Sequence, residues 1–421
     1  MIITGIVNCS AACGTAGPGA GSADTVHVWA LTDPQNEPLI QAGIDDFNET
    51  SRVKLELTTY VNDAYKQKLQ VSMGSPNAPD VFFNWGGGNL SQFVQADQVV
   101  DLTDALRQEP SVASSFIPSI LSAGKINGKQ YALPMNGMQP VILFYNRKVF
   151  SNAGLQPPKT FDDLLRLVSA FKARDVIPIA LAGSQGWTEL MYLEYLLDRI
   201  GGPDKFASIT AGSVGAWRDA AVLKALRMTQ DLAERGAFGA TFSSVNYDNT
   251  GASKLLATGK AAMHLMGSWE YSSQLGNNPD FVNGGELGWV PFPAVPTGTG
   301  DPTNAVGNPS NYFSISSGSK HIDVATDFLL NTMSSVSHVT RLVDSGQVPA
   351  VKGIETQLAG TSNGEFTTFT YRLVSDAPSF TQSWDQALSP SLSSELLTNL
   401  QKLFLAQITP EEFVTTLEKA K

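Results

Sequence analysis

Four tryptophans, Trp85, Trp187, Trp269 and Trp384, stand where the chain leaves an apolar run or enters an irregular stretch. That placement suits an indole to stacking chemistry. A pyranose or furanose ring has an apolar face of C–H groups and a rim of hydroxyls; an indole covers the face, while Asp, Asn, Gln or Arg side chains pair with the rim. Trp85 follows the run 81–83 and Asn84, Trp187 follows 177–181 after a glycine-bearing turn, and Trp269 follows 261–266. Trp384 lies in irregular sequence ahead of the C-terminal helices. Asn84, immediately before Trp85, and Asp33, after the first apolar run, are candidate hydroxyl partners, although Asp33 equally suits helix entry before Pro34. Glu37, Gln139, Asn308 and Arg341 extend that set. Trp29, Trp217 and Trp289 read as core, the first and last lying inside strand patterns.

Catalytic and cofactor patterns are missing. His27, His264, His321 and His338 are scattered, with no pair at the i, i+4 spacing of a helical zinc site. Gly183-Ser184-Gln185-Gly186 lacks the spacing of a nucleophile elbow, and Gly86-Gly87-Gly88 lacks the Lys and Ser/Thr of a phosphate loop. Glycoside hydrolysis needs two carboxylates facing each other across a cleft. Asp33, Glu189 and Glu270 lie near predicted strand ends, but such residues more often cap helices or accept sugar hydroxyls. The expectation is a binding protein with no catalytic residue, metal or cofactor.

A chain of 421 residues with a net charge of −11 is long enough for two or three domains, and its field repels phosphate backbones and anionic lipid headgroups. Nucleic acid is therefore not an expected partner. Cys9 and Cys13 are the only cysteines, which leaves the body without a disulfide or thiolate metal site. Nowhere does an apolar run reach the ~20 residues of a spanning helix.

The elements that would position these residues alternate in kind. Apolar runs at 26–30, 53–58 and 81–83 read as strands separated by amphipathic helices near 39–48 and 63–73. Strand–helix–strand order implies parallel pairing through right-handed crossovers, hence an α/β sheet. A second series places strands at 141–144, 177–181 and 261–266, with helices from Thr160 through Phe171, at 188–200 and at 219–235. The stretch 290–308, punctuated by Pro291, Pro293, Pro296, Gly298, Gly300 and Pro302, cannot be regular and reads as a crossover between lobes. A strand near 313–315 and helices near 323–334 and 391–406 follow, then a last helix with Thr409 as N-cap and Pro410 in its first position.

Taken in order, Val26-His27-Val28-Trp29, Ala78-Pro79-Asp80-Val81-Phe82, Tyr131-Ala132-Leu133-Pro134 and Leu143-Phe144-Tyr145-Asn146-Arg147 resemble the family-1 extracellular solute-binding proteins, the maltose-binding-protein-like group. Gly259-Lys260-Ala261-Ala262-Met263 and Gly267-Ser268-Trp269 continue the series, which spans about 25–421. The resemblance implies a two-lobed periplasmic-binding-protein-like α/β fold, each lobe a mainly parallel sheet flanked by helices, joined by hinge segments. Lobe 1 would comprise 25–133 plus 301–343, and lobe 2 would comprise 134–300 plus 344–421. It further implies sugar stacking by Trp85 and Trp269 and a binding role for Asp33. The implied protein is a monomeric extracellular receptor that closes on a di- or trisaccharide and delivers it to ABC permease subunits. The loop after Trp85, Gly-Gly-Gly-Asn, departs from the charged loop of maltose-binding protein, so maltose is not implied.

Residues 1–24 carry a separate expectation. Ser10-Ala11-Ala12-Cys13-Gly14 resembles the end of a bacterial lipoprotein signal, in which Cys13 would be lipidated on the outer face of the cytoplasmic membrane. The glycine-rich run from Gly14 to Ser22 suits a tether. Met1 to Val7 lack the basic start and long apolar core of a secretory signal, which fits a truncated leader with a replacement start. An expression scar ahead of a disordered tail fits the same residues.

Overall fold

The computed structural model describes residues 25–420. The tether and the lipidation expectation for Cys13 lie outside the described residues. Thirteen strands form two sheets and one small hairpin, and each sheet has its own apolar core.

Lobe 1 begins with β1 (Thr25–Leu31), β2 (Lys54–Tyr60) and β3 (Val81–Asn84). The helices Glu37–Thr50 and Asn62–Ser72 connect them and bury Ile40, Ile44, Tyr65 and Leu69. These crossovers force β1 parallel to both β2 and β3, as the element order requires. In β2 the buried Leu55 lies between the exposed Lys54 and Glu56, the alternation of an edge strand with one solvated face. A hairpin of β4 (Lys125–Ile126) and β5 (Lys129–Gln130) precedes β6 (Leu133–Pro134).

The chain crosses into lobe 2 just after Met138 and forms β7 (Gln139–Asn146), β8 (Ile177–Ala180), β9 (Ala261–Gly267), β10 (Leu287–Val290) and β11 (Ala305–Asn308). It returns to lobe 1 for β12 (Tyr312–Ile315), then enters lobe 2 again for β13 (Phe380–Gln382). The resulting sheet orders are β2-β1-β3-β12-β6 and β13-β11-β7-β9-β8, with β10 on β7.

The two-lobed α/β architecture agrees with expectation, but the pairing is more mixed. β8 runs parallel to β9 and β11 to β13, whereas β7 is antiparallel to β9, β10 and β11. In lobe 1, β12 is antiparallel to β3 and β6. The reversals have one cause. β7 and β12 follow directly on a crossing into their lobe, so they run opposite to the neighbours whose ends lead to the seam, whereas β13 comes only after the helix Gly364–Ser375 has re-entered lobe 2.

The lobe boundaries also move. Val348, Ala350, Val351, Ile354 and Leu358 belong to the lobe 1 core, so the expected end of that segment at 343 falls short. Val306 belongs to the lobe 2 core and β11 to its sheet, so the chain returns to lobe 1 after Asn308 rather than at 301. The Pro/Gly-rich stretch is consequently no crossover. It packs on lobe 2 against the end of the helix Gly186–Gly201, where Thr299 N donates to Ile200 O. A Cβ at Gly298 would lie 1.9 Å from Arg199 O, and one at Gly300 1.8 Å from Asp198 O, which only glycine avoids. Buried Arg199, paired with its helix neighbour Asp198 at 2.7 Å, fastens the same loop by donating to Asn304 O at 3.0 Å.

Local signals place the helix starts. Thr160 and Asp163 form a reciprocal capping box for Phe161–Lys172, and Thr409 and Glu412 form another for Pro410–Leu417. Histidines are structural where buried: His338 Nε2 contacts Met135 O at 2.8 Å, and His264 Nδ1 contacts Ala180 O at 2.9 Å.

The helix Gly186–Gly201 also buries Glu189, whose Oε2 has no hydrogen-bond partner. Burial pushes its carboxyl up to about 9. A raised carboxyl binds its proton more tightly folded than unfolded, so its contribution to stability falls as pH rises from about 4.5 to about 9. Glu189→Gln keeps the shape without the ionisation. Its gain in unfolding free energy should be near zero at pH 4.5 and reach on the order of 2 kcal/mol at pH 8 in denaturant titrations. A gain independent of pH would contradict this assignment.

Candidate functional site

A cavity of about 300 Å³ lies along the seam between the lobes and is lined from both sides and by the crossing segments. This is the volume range of small-molecule sites. Strand ends build its walls, as expected for open α/β sheets.

On the lobe 1 side, β1 leads to Asp33, which lines the cavity. Its Oδ1 accepts from Gln35 N at 2.9 Å, and its Oδ2 from Asn36 Nδ2 at 2.6 Å. Asp33 therefore fills both roles open to it, wall residue and turn cap. After β3 the two-residue period decides what faces the ligand space. Phe83 and Trp85 line the cavity, while Asn84 between them points the other way. Asn84 is fully buried, donates to Ser314 Oγ at 2.9 Å and accepts from Gly86 N at 2.9 Å. It fixes the strand end and is not a wall residue, contrary to expectation.

Trp85 is 4% exposed and packs edge-on against Phe83 at 4.9 Å and Tyr65 at 6.2 Å. It belongs to the lobe 1 core as well as to the cavity. Lys66 Nζ lies 4.9 Å from its ring centre and 3.4 Å from Asp385 Oδ2 of lobe 2. Gln382 Nε2 donates to Trp85 O at 2.8 Å, a second polar link across the seam.

On the lobe 2 side, β8 leads to Trp187 and β9 to Trp269, each in the first turn of a helix. Both are half-buried, and their rings lie 6.3 Å apart at 47°. Gly267 makes this possible: a Cβ there would stand 1.9 Å from the Trp269 ring. Tyr247 meets Trp187 edge-on at 5.5 Å and extends the aromatic wall. Behind it, fully buried Glu270 accepts from Tyr247 Oη at 3.0 Å, Ser253 Oγ at 2.9 Å and Gln274 Nε2 at 2.7 Å. Burial first, then the neighbouring Glu270 charge, holds the Tyr247 hydroxyl well above the usual phenol range, so it stays a donor.

Trp384 is a correction. It is 1% exposed, stacks on Phe206 at 4.5 Å and meets Trp217 edge-on at 6.3 Å inside the lobe 2 core. Its backbone N–H donates to buried Glu194 Oε1 at 2.7 Å. The neighbours Ser383, Asp385 and Gln386 line the cavity instead. Gln139 and Asn308 also line it, paired in the β7–β11 register. Glu37 binds Thr59 and Arg341 binds Asp46, and neither lines the cavity. Trp29 and Trp217 are core as expected, and Trp289 packs between Tyr271 and Phe366.

Polar atoms without protein partners gather here. Trp187 Nε1, Asn308 Oδ1, Asn311 Oδ1 and Gln386 Oε1 are buried and unpaired, and all four residues line the cavity. Buried polar groups are normally paired, so this set is suited to a ligand rich in donors and acceptors. Sequence reasoning missed Lys66, Tyr247, Asp248, Asn136, Asn311 and Asp385. Asn136 and Asn311 sit on crossing segments and the others on helices or loops, where no strand-end signal marks them. Among the described residues, no group of three or more His, Cys, Asp or Glu could hold a metal ion. No helix among them is long and apolar enough to cross a membrane.

Residues 33–331 match the family model described as bacterial extracellular solute-binding protein. The diacetylchitobiose binding protein DasA of Streptomyces coelicolor is 24% identical over 86% of this chain and 84% of its own length. An uncharacterized ABC transporter extracellular-binding protein of Pyrococcus horikoshii is 27% identical over 54% of this chain. The match spans about half of that relative, 50% of its length. A structure from work on xylan utilization by Caldanaerobius polysaccharolyticus superposes with a TM-score of 0.84 at 26% identity, covering 94% of this chain and 99% of the other.

Removing an aromatic wall residue should separate binding from stability. Trp269→Ala should weaken binding of a saccharide by roughly 30- to 1000-fold, the range for buried aromatic anchors. Its melting temperature without ligand should move little. Trp384→Ala should cost about 3–5 kcal/mol of stability, because it empties a core position. Trp85→Ala, with its ring in both places, should lose on both counts. Calorimetry and thermal melts distinguish the three, and normal binding with a much lower melting temperature in Trp269→Ala would make Trp269 core.

Proposed function

The chain belongs to the bacterial extracellular solute-binding proteins, and on that premise we propose that it is the sugar receptor of an ABC importer. It binds a small oligosaccharide, a di- or trisaccharide, between its lobes and delivers it unchanged to membrane permease subunits. The receptor acts as a monomer, held on the outer face of the cytoplasmic membrane through a lipidated Cys13. Energy for transport comes from separate ATPase partners.

The observation that carries this reading is the coincidence of the Trp187–Trp269 pair with four unpaired buried polar atoms in one interlobe cavity. Indoles suit the C–H faces of sugar rings, and the unpaired amide oxygens and indole N–H suit their hydroxyls. A relative named for diacetylchitobiose and a structure from work on xylan use support the same ligand class. Glu189 and Glu270, two of the three carboxylates considered for hydrolysis, are buried and do not line the cavity. That placement supports a receptor rather than an enzyme.

Binding both lobes gives the mechanism. A ligand that touches both walls has higher affinity for the closed arrangement, and only that difference shifts the population. Lys66–Asp385 and Gln382–Trp85 are contacts that form when the lobes meet.

After denaturing removal of any retained solute and refolding, the protein should be titrated with xylotriose, N,N′-diacetylchitobiose, maltotriose and stachyose. At least one should bind in calorimetry and be recovered at unchanged mass after prolonged incubation. Shorter products in the mass spectrum would replace the receptor with a hydrolase, and binding of none would remove the saccharide reading.

A further inference from the structure

The loop between the turn Phe242–Ser244 and the helix Gly251–Ala257 places three residues in the cavity: Tyr247, Asp248 and Thr250. It is held in an unusual shape. Thr250 has φ +64° and ψ 19°, a left-handed conformation that β-branched residues rarely adopt, and such outliers persist where the surroundings fix them. Thr250 N donates to Tyr247 O at 2.7 Å, and Gly251 N to Asn246 O at 3.0 Å.

Two buried side chains grip the loop from beneath. Glu270 accepts from the Tyr247 hydroxyl. Gln185, 4% exposed, grips it twice: its Oε1 accepts from Tyr247 N at 2.8 Å and its Nε2 donates to Asp248 Oδ2 at 3.0 Å. One carboxylate oxygen of Asp248 is thus oriented from the protein side, while the residue remains exposed in the cavity wall.

The charges around it are lopsided. The ionisable residues lining the cavity are Asp33, Asp248, Asp385 and a single cation, Lys66, apart from the Tyr247 hydroxyl. Lys66 comes from the opposite lobe and is already engaged by Asp385 and the face of Trp85. Asp63 and Lys66 of the opposite lobe both lie within electrostatic reach of Asp248, the first adding to the negative field and the second offsetting it in part. An acidic sugar entering this cavity would add to that negative charge with no free ammonium or guanidinium among the described lining residues to meet it, whereas a hydroxyl can donate to Asp248 in a charge-assisted bond.

We infer that Asp248, oriented by Gln185, is a specificity-determining residue of the cavity, reading saccharide hydroxyls and excluding anionic saccharides. The inference rests on the saccharide reading above, and its test separates the two. Calorimetry compares the neutral oligosaccharides xylotriose, N,N′-diacetylchitobiose, maltotriose and stachyose with trigalacturonate, on the parent and on Asp248→Asn, Gln185→Ala and the double variant. The parent should bind at least one neutral probe and not trigalacturonate. Asp248→Asn should weaken the neutral probe about 10- to 100-fold, the range for a hydrogen bond to a charged group. Its melting temperature should stay near the parent's because the side chain is exposed. The double variant should lose less than the sum of the two single losses, since the part of the Gln185 effect that runs through Asp248 is already gone and only its hold on Tyr247 N remains to be lost. Neutral-probe affinity retained in Asp248→Asn, comparable trigalacturonate binding by the parent, or additive losses in the double variant would overturn the assignment while leaving the saccharide reading intact. Binding of no neutral probe by the parent would remove both.

Discussion

Each lobe has its own apolar core, that of lobe 1 assembled from chain segments on both sides of the long lobe 2 segment, and the seam between the two cores holds the cavity. Core residues pass from one cluster to the other across 139–140, 307–311 and 359–365, so three short stretches carry all the connections. Links across the seam include the polar pairs Lys66–Asp385 and Gln382–Trp85. Such contacts exchange readily with water, and a partly exposed ion pair contributes little by itself. Two rigid bodies with a weakly held gap between them are what a closing receptor needs, and the cavity follows from the division of the core.

The same division explains why the cavity is lined as it is. Strands running toward the seam end there, and the residues just past β1, β3, β8 and β9 become its walls: Asp33, Trp85, Trp187 and Trp269. The lobe 2 wall is the better supported. Buried Glu270, held by Ser253 and Gln274, fixes Tyr247, and Tyr247 in turn abuts Trp187. An aromatic surface fixed in this way loses little conformational freedom when a ring stacks on it.

Much of this was legible in the sequence, and the failures have physical causes. Helix starts at Thr160 and Thr409 and the strands ending at Trp85, Trp187 and Trp269 follow from capping chemistry and periodicity. Asn84 fails because the strand's two-residue period sends it to the opposite face from Phe83 and Trp85. Trp384 fails because irregular sequence beside it resembled a cleft loop, whereas a four-residue helix turns its indole onto Phe206. The prolines and glycines of 290–308 mark irregular backbone correctly, but not where it goes. Close approach to the carbonyls of Asp198 and Arg199 keeps that stretch on lobe 2. Lys66, Asp248 and Asp385 carry no local signal, since their placement depends on loops from two lobes meeting.

The central claim is that a saccharide in the seam brings two separately folded lobes together. Small-angle scattering on the full chain, freed of retained solute, measures this with the fewest assumptions. Under saturation established by calorimetry, the radius of gyration should fall as the open population is drawn into the closed one. An unchanged scattering curve at proven saturation would contradict the account.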